Sequence, residues 1–171
     1  MKDVFYVEKY AANHSTVESL REIYSSFASK IETTDTVIDI PAGCGYGTEL
    51  VGKGATLTVG FVQASEALSH AMIRHRTIKT TFCYSNYRHT LVAFPFDVVC
   101  CNWYDLEGGS DMTKLIRTLK RAGRMILIAC PVDVNPTAII TDDEWQLQSV
   151  EHLTGSDIYI FTRKDGQNIL G

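Results

Sequence analysis

The sequence predicts an α/β fold: a doubly wound, mostly parallel sheet that finishes in a C-terminal antiparallel β-hairpin. Three observations carry this. Short β-branched and apolar runs alternate with amphipathic stretches of helical length between Thr36 and Cys130, the rhythm of a parallel sheet covered on both faces by helices. A glycine-studded turn (Gly43, Gly45, Gly47) follows the first of those runs directly. The end of the chain abandons the rhythm, and "WQLQSVEHL", the turn "TGSD" and "IYIFTR" read as two strands joined back to back.

Each element has a local cause. Ser15 and Glu18 in "STVE" form a capping box, which starts a helix. Val17, Leu20, Tyr24, Phe27 and Ile31 follow at helical spacing and give it one buried face. "TVIDI" (Thr36 to Ile40) and "TLTVGFV" (Thr56 to Val62) are β-branched, as strands buried on both faces tend to be. Ser65 is placed to cap a helix running to His75. "TTFCY" (Thr80 to Tyr84) and "FDVVCC" (Phe96 to Cys101) are the next strands, with Asp97 a strand-start residue. "DMTKLIRTLKRAG" is an amphipathic helix ended by Gly123, and "RMILIAC" (Arg124 to Cys130) is the fifth strand. One domain over residues 1–171 follows, with an N-terminal helical segment (1–35), a core (36–130) and the terminal hairpin (145–163).

Composition narrows the function. A chain of 171 residues can bury a full core without disulfides or metal. Its net charge of −4 argues against a polyanionic partner, so nucleic acid is not expected. The basic stretches "RHRTIK" and "KLIRTLKRAGR" read as solvated helix faces. No apolar run is long enough to span a membrane, and "MKDVFYVEKYAANHS" lacks the apolar core of a signal peptide. A cytoplasmic location is the expectation. The five cysteines (Cys44, Cys83, Cys100, Cys101, Cys130) are odd in number and form no C-x-x-C, so neither a zinc site nor a disulfide framework is expected. They read as reduced, buried, small hydrophobes. His14, His70, His75, His89 and His152 show no metal-ligand spacing and read as surface or capping residues.

In open parallel sheets ligands sit beyond the carboxyl ends of the strands, near the point where strand order reverses. The segments that qualify are Pro41–Gly47, Val62–Ser65, Ser85–Tyr87 and Asn102–Asp105. Glycine in the first of them permits positive φ and close approach of a ligand. The turn lacks the G-K-[ST] ending of a phosphate-binding P-loop. Its G-x-G-x-G spacing is not the G-x-G-x-x-G of a nicotinamide dinucleotide site.

"VIDIPAGCGYGTEL" resembles the first motif of the class I, Rossmann-like S-adenosylmethionine-dependent methyltransferases. Asp39 stands at the acidic position, Pro41 replaces the first glycine, and Gly43 and Gly45 match the other two. The resemblance runs from Val37 to Arg163 and is strongest in "FDVVCCNWYDLEGGSDMTKLIRTLKRAGRMILIACP", which is similar to the family's small-molecule branch. It implies a seven-stranded sheet and S-adenosyl-L-methionine as cofactor. It also implies roles. Pro41, Ala42, Gly43, Cys44 and Gly45 would pass under the methionine and ribose, and Asp39 would accept hydrogen bonds near them. Asn86 would accept from the adenine amino group, and Cys101 and Asn102 would line the methionine arm. The second strand departs from the pattern. The family ends it in a carboxylate that holds the ribose hydroxyls, whereas here the equivalent is Gln63, or Val62 if the match is made from Gly60. Gln63 keeps Ser65 in a capping position. As a neutral amide it forgoes charge-assisted hydrogen bonds, which are roughly twice as strong as neutral ones.

Methyl transfer from a sulfonium is an in-line displacement, so positioning and exclusion of water dominate. Candidates for catalytic contact are Asn102, Tyr104 and Tyr10, with Trp103, Asp105, Tyr6 and His14 also near the mouth. "NWYD" is not the N-P-P-[YF] signature of amide and amino-group methylation. Only "PVDVNPTAIITDD" separates the fifth strand from the hairpin, which leaves a short, open cleft. That suits a small-molecule acceptor, and a second subunit, as a homodimer or a different partner, could close it. The rival expectation is a degenerate, non-catalytic relative acting as a partner subunit or metabolite sensor. Another reaction on the same cofactor scaffold is a third option.

Overall fold

The computed structural model describes residues 17–85, 94–103 and 112–164. In chain order these form α1 (Val17–Ala28), β1 (Thr36–Asp39), α2 (Tyr46–Gly52), β2 (Leu57–Val62), α3 (Ser65–Arg74), β3 (Thr80–Tyr84) and β4 (Val98–Asn102). They continue with α4 (Thr113–Leu119), β5 (Met125–Pro131), α5 (Thr137–Ile140), β6 (Trp145–Leu153) and β7 (Ser156–Arg163). The strands make one seven-stranded sheet in the order β3-β2-β1-β4-β5-β7-β6. Pairing is parallel from β3 through β5. It turns antiparallel where β7 enters beside β5 and pairs with β6. The α/β class, the parallel core and the terminal hairpin are therefore as the sequence predicts.

Period-two alternation builds the two core layers. Along β1, Val37 faces one layer with Phe27, Val51, Leu127 and Ile160. Ile38 faces the other with Phe61, Leu115, Leu119, Ile126 and Phe161. The first layer lies under α1 and α2, and the second under α4 and α5. Central strands are buried almost throughout, whereas β6, beyond buried Trp145, consists of half-buried and exposed residues, as an edge strand should. In α1 the buried face is Leu20, Ile23, Tyr24 and Phe27. Ile31 lies beyond the helix end and packs against this layer from a turn. The proposed cap, Ser15, lies outside the described residues.

Three boundaries differ clearly from expectation. α4 ends at Leu119 with Lys120 as its C-cap, so Gly123, expected to end the helix, lies beyond it. β4 begins at Val98 because Asp97 serves as a junction. Its carboxylate accepts from Thr36 N–H at 2.8 Å, and its carbonyl accepts from Arg124 and Met125 N–H at 2.8 and 3.1 Å. The strand consequently ends on Asn102. For α3, the N-cap is Ala64, with no side-chain capping bond. Leu68 N–H donates to the Ala64 carbonyl at 2.9 Å, so Ser65 is the first helical residue and its expected capping role is corrected. After β5 there is room only for the single turn of α5, anchored by buried Ile140. No described helix is long and apolar enough to cross a membrane.

Candidate functional site

The sheet order places the carboxyl ends of β1 and β4 side by side where the chain winds off in opposite directions. Ile40 N–H donates to the Cys100 carbonyl at 2.9 Å, extending that pairing by one residue. The chain then turns. Ala42 N–H reaches the Phe61 carbonyl at 2.9 Å, Gly45 N–H returns to the Ala42 carbonyl at 2.8 Å, and Glu49 N–H takes up the Gly45 carbonyl at 3.0 Å to start α2. Gly43 and Gly45 have φ of 52° and 94°, left-handed backbone that favours glycine. At Gly45 the protein's own packing also demands glycine. A Cβ there would lie 2.8 Å from both the Ala71 Cβ and the Phe82 ring. Phe82 and Ala71 belong to a small core cluster with Ala42, Val62 and Ala67 that supports the turn from below.

Asp39 is wholly buried. Thr48 Oγ1 donates to its Oδ2 at 2.5 Å and Tyr24 O–H to its Oδ1 at 3.1 Å. The carboxylate therefore ties β1 to α1 and α2 through hydroxyl donors.

At the end of β2, Val62 is 1% exposed and packed in the small cluster. Gln63 follows it directly and is half-buried. Of the two, only Gln63 has a side chain outside the core. Ser85 continues β3 beyond Tyr84, which pairs with Val62, and its N–H donates to the Val62 carbonyl at 2.9 Å. The Ser85 hydroxyl is buried without a hydrogen-bond partner among the described residues. Sequence reasoning included Ser85 only as the start of a segment to inspect, because a serine after a strand matches no motif. Cys101 and Asn102 are fully enclosed at the end of β4, Cys101 within the layer under α4. Trp103 packs half-buried against that layer. Asn86, Tyr104, Asp105, Tyr6, Tyr10 and His14 lie outside the described residues.

Cys44, Cys100, Cys101 and Cys130 are buried and Cys83 half-buried, none of them bridged. Burial pushes the Cys100 thiol well up, with buried Asp39 adding to it, and pushes Cys130 up to about 12. Neither is a nucleophile at neutral pH. His152 is exposed, as expected. His70 and His75 are not surface residues: they are 8% and 7% exposed. His75 does cap α3, its N–H donating to the Ala71 carbonyl, as the capping reading expects; burial corrects only the surface reading, since α3 and its C-cap turn both imidazoles inward. Among the described residues they converge with Cys44, one ligand atom from each lying within 4.8 Å of the others.

No family model matches the chain, and no curated protein matches it. Solved structures do. One, provisionally named a methyltransferase, from Pseudomonas syringae, aligns over 84% of this chain and 97% of its own at TM-score 0.67 and 13% identity. A second, provisionally named an RNA methyltransferase, from Pyrococcus horikoshii, aligns over 93% and 89% at TM-score 0.65 and 14% identity. The YcgJ protein of Bacillus subtilis aligns at TM-score 0.56 and 17% identity, and there the chain spans about half, 51%, of the matched protein. The chain has the fold of the class I S-adenosylmethionine-dependent methyltransferases.

The strand ends fit such a cofactor in part. The left-handed turn at Gly43, half-buried Gln63 and the Ser85 hydroxyl follow the carboxyl ends of the adjacent strands β1, β2 and β3. A buried hydroxyl without a partner is rare enough in a folded protein to call for an explanation, and a polar ligand is one.

Proposed function

We propose that this chain is an S-adenosylmethionine-dependent methyltransferase acting on a small-molecule acceptor. The observation that carries the reading is the Ser85 hydroxyl, buried without a hydrogen-bond partner among the described residues, at the end of β3 next to the β2 end that carries Gln63 and two strands from the left-handed glycine turn. Gln63 would hold the ribose hydroxyls, Ser85 and Asn86 would face the adenine side, and residues Pro41 to Gly45 would pass under the methionine and ribose. Cys101 and Asn102 would floor the methionine arm. Asp39, committed to Tyr24 and Thr48, would act by holding the turn in place. When bound, the cofactor supplies an electrophilic methyl on a sulfonium. The chain's own residues have to orient the acceptor in line with it and exclude water, with Tyr10, Tyr104 and Asn102 the candidates at the mouth. The net charge of −4 and the single-turn α5 favour a small acceptor over a nucleic acid.

One observation favours a second reading, a non-catalytic relative serving as partner subunit or metabolite sensor. Phe82 and Ala71 fill the space a side chain at Gly45 would take, so this glycine is explained without a ligand. Calorimetric titration with S-adenosylmethionine and S-adenosylhomocysteine, with nicotinamide dinucleotide as control, separates the two. Micromolar binding of the first pair alone is expected. Gln63→Asp should tighten it by one to two decades if charge-assisted bonds form, since about 1.4 kcal/mol is a decade. Silence from wild type and Gln63→Asp alike sinks the enzyme reading and redirects the search to protein partners.

A further inference from the structure

We infer that Cys44, His70 and His75 form a transition-metal site, with zinc the metal its donors suit, at the glycine turn, where it shares Cys44 with the segment proposed above to pass under the cofactor. The three residues come from two places. Cys44 sits inside the turn between the two left-handed glycines. His70 lies on α3, and His75 is the residue that ends that helix. All three are more than nine-tenths buried, and their ligand atoms lie within 4.8 Å of one another. Tetrahedral zinc, with Zn–S about 2.3 Å and Zn–N about 2.0–2.1 Å, sets its donors roughly 3.3–3.6 Å apart. Small side-chain rotations close the difference.

One nitrogen is prepared for this role. His75 Nδ1 stands 2.7 Å from Glu49 Oε2. A carboxylate can only accept, so Nδ1 carries a proton, and in the neutral ring Nε2 presents its lone pair. That Nε2 is buried and has no hydrogen-bond partner among the described residues. An acceptor in that position lacks only an electron-pair acceptor facing it. A carboxylate behind a ligating imidazole is the usual outer partner of a zinc-bound histidine, where it fixes the tautomer and strengthens the ligand. The ring is held from other sides as well. Tyr46 meets it edge-on at 6.4 Å and His70 at 5.5 Å, while Arg21 Nε donates to the Tyr46 hydroxyl at 3.2 Å.

Donor chemistry selects the metal. One thiolate with imidazoles suits zinc and excludes the oxygen-seeking magnesium and calcium. Binding replaces the Cys44 S–H bond with a sulfur–metal bond and releases one proton to solvent. The Cys44 thiolate and the Glu49 carboxylate then balance the two positive charges of the ion. Three protein donors leave a fourth position for water. The metal would pin the glycine turn to the end of α3, across a gap that Gly45, Ala71 and Phe82 already close on one side.

The test uses the full chain, stripped of metal with a chelator and titrated with cobalt(II) as the optical stand-in for zinc. Expected are one cobalt per chain, the ligand-field bands of a tetrahedral site, a thiolate-to-cobalt charge-transfer band, and displacement of all three by zinc. Cys44→Ser should lose the charge-transfer band, while Cys83→Ser keeps it. Glu49→Gln should retain the band and bind about 10- to 100-fold more weakly. Far-ultraviolet circular dichroism confirms that each variant is folded, and if Cys44→Ser is not, the wild-type spectrum and Glu49→Gln decide. Absence of stoichiometric cobalt binding by the wild type overturns the site. So does a charge-transfer band that survives in folded Cys44→Ser, or unchanged affinity in Glu49→Gln.

Discussion

Replacing Gly45 by alanine tests whether packing alone requires this glycine. The residue sits at φ 94°, where an L side chain costs about 1–2 kcal/mol. The added methyl would also stand 2.8 Å from Ala71 Cβ and from the Phe82 ring, and overpacking of that kind costs about 1–3 kcal/mol. Together the loss should be about 2–5 kcal/mol, and at roughly 2–4 °C per kcal/mol for this chain length the melting temperature should fall by about 4–20 °C. A double-mutant cycle separates the two causes. Phe82→Ala by itself should cost about 3–5 kcal/mol. Because two of the three close approaches belong to the Phe82 ring, about 1–2 kcal/mol of the Gly45→Ala loss should disappear in the double variant. The four proteins would be compared by urea unfolding. Additivity within about 0.5 kcal/mol would refute the steric account, leaving backbone strain as the whole effect. A Gly45→Ala loss below about 1 kcal/mol would remove both.

Tyr24→Phe and Thr48→Val each remove one hydroxyl donor from the buried Asp39 carboxylate and should destabilise by about 1–3 kcal/mol apiece; urea midpoints unmoved by both changes would show that its support comes from elsewhere. Glu151 is held below its ordinary value of 4.5 by Lys30 and by the Ser26 hydroxyl. A depressed carboxylate contributes stability above its unfolded pKa and loses it as pH falls through the folded one. The stability gap between wild type and Glu151→Gln should therefore be constant at neutral pH and shrink below 4.5, and a gap that widens on acidification would contradict the pairing. The raised thiols of Cys100 and Cys130 should resist alkylation in the folded protein and react on unfolding, as read by mass-spectrometric mapping. Native-state modification at the unfolded rate would contradict their burial.

What the sequence made legible was whatever depends on short-range pattern. The β-branched runs placed β1, β2 and β3 to within a residue, and the change of rhythm after Cys130 revealed the hairpin. The misplacements arose where a residue serves a distant partner. Phe96 and Asp97 look like the start of a strand, but Asp97 faces Thr36, Arg124 and Met125, so the ladder begins after it. Ser65 looks like a cap, but the backbone already caps at Ala64. At the candidate site, Gln63 was legible because it directly follows a strand in a recognisable pattern. Ser85 was not, since its unpaired state depends on what surrounds the hydroxyl in space. The pairing of Cys44 with His70 and His75 was invisible for the same reason. No motif spaces them, and only the stacking of α3 against the turn and α2 brings their ligand atoms within reach.

The glycine turn shows why a motif and a site are different claims. Its sequence signature, G-x-G-x-G after a strand, was read as bare backbone kept clear for a ligand. In the structure, Gly45 has its missing Cβ opposed by Phe82 and Ala71, and Gly47 has Tyr24 in the equivalent place. Tyr24 is also the residue that donates to Asp39. Two of the three glycines and the acidic residue of the motif are thus bound into one packing unit that joins β1, α1, α2 and β3. Such a unit would persist through loss of catalysis, because breaking it costs stability whether or not a cofactor is bound. The motif therefore weighs equally for an enzyme and for its non-catalytic relative. Weight shifts between them only at positions the fold does not need: the Gln63 amide, which sits outside the core, and the Ser85 hydroxyl, whose burial without a partner costs stability unless something polar meets it. Substitution at Gln63 should change ligand affinity while leaving the unfolding curve in place, and Ser85→Ala should change affinity while raising the stability of the ligand-free chain, the reverse of what is expected at Gly45.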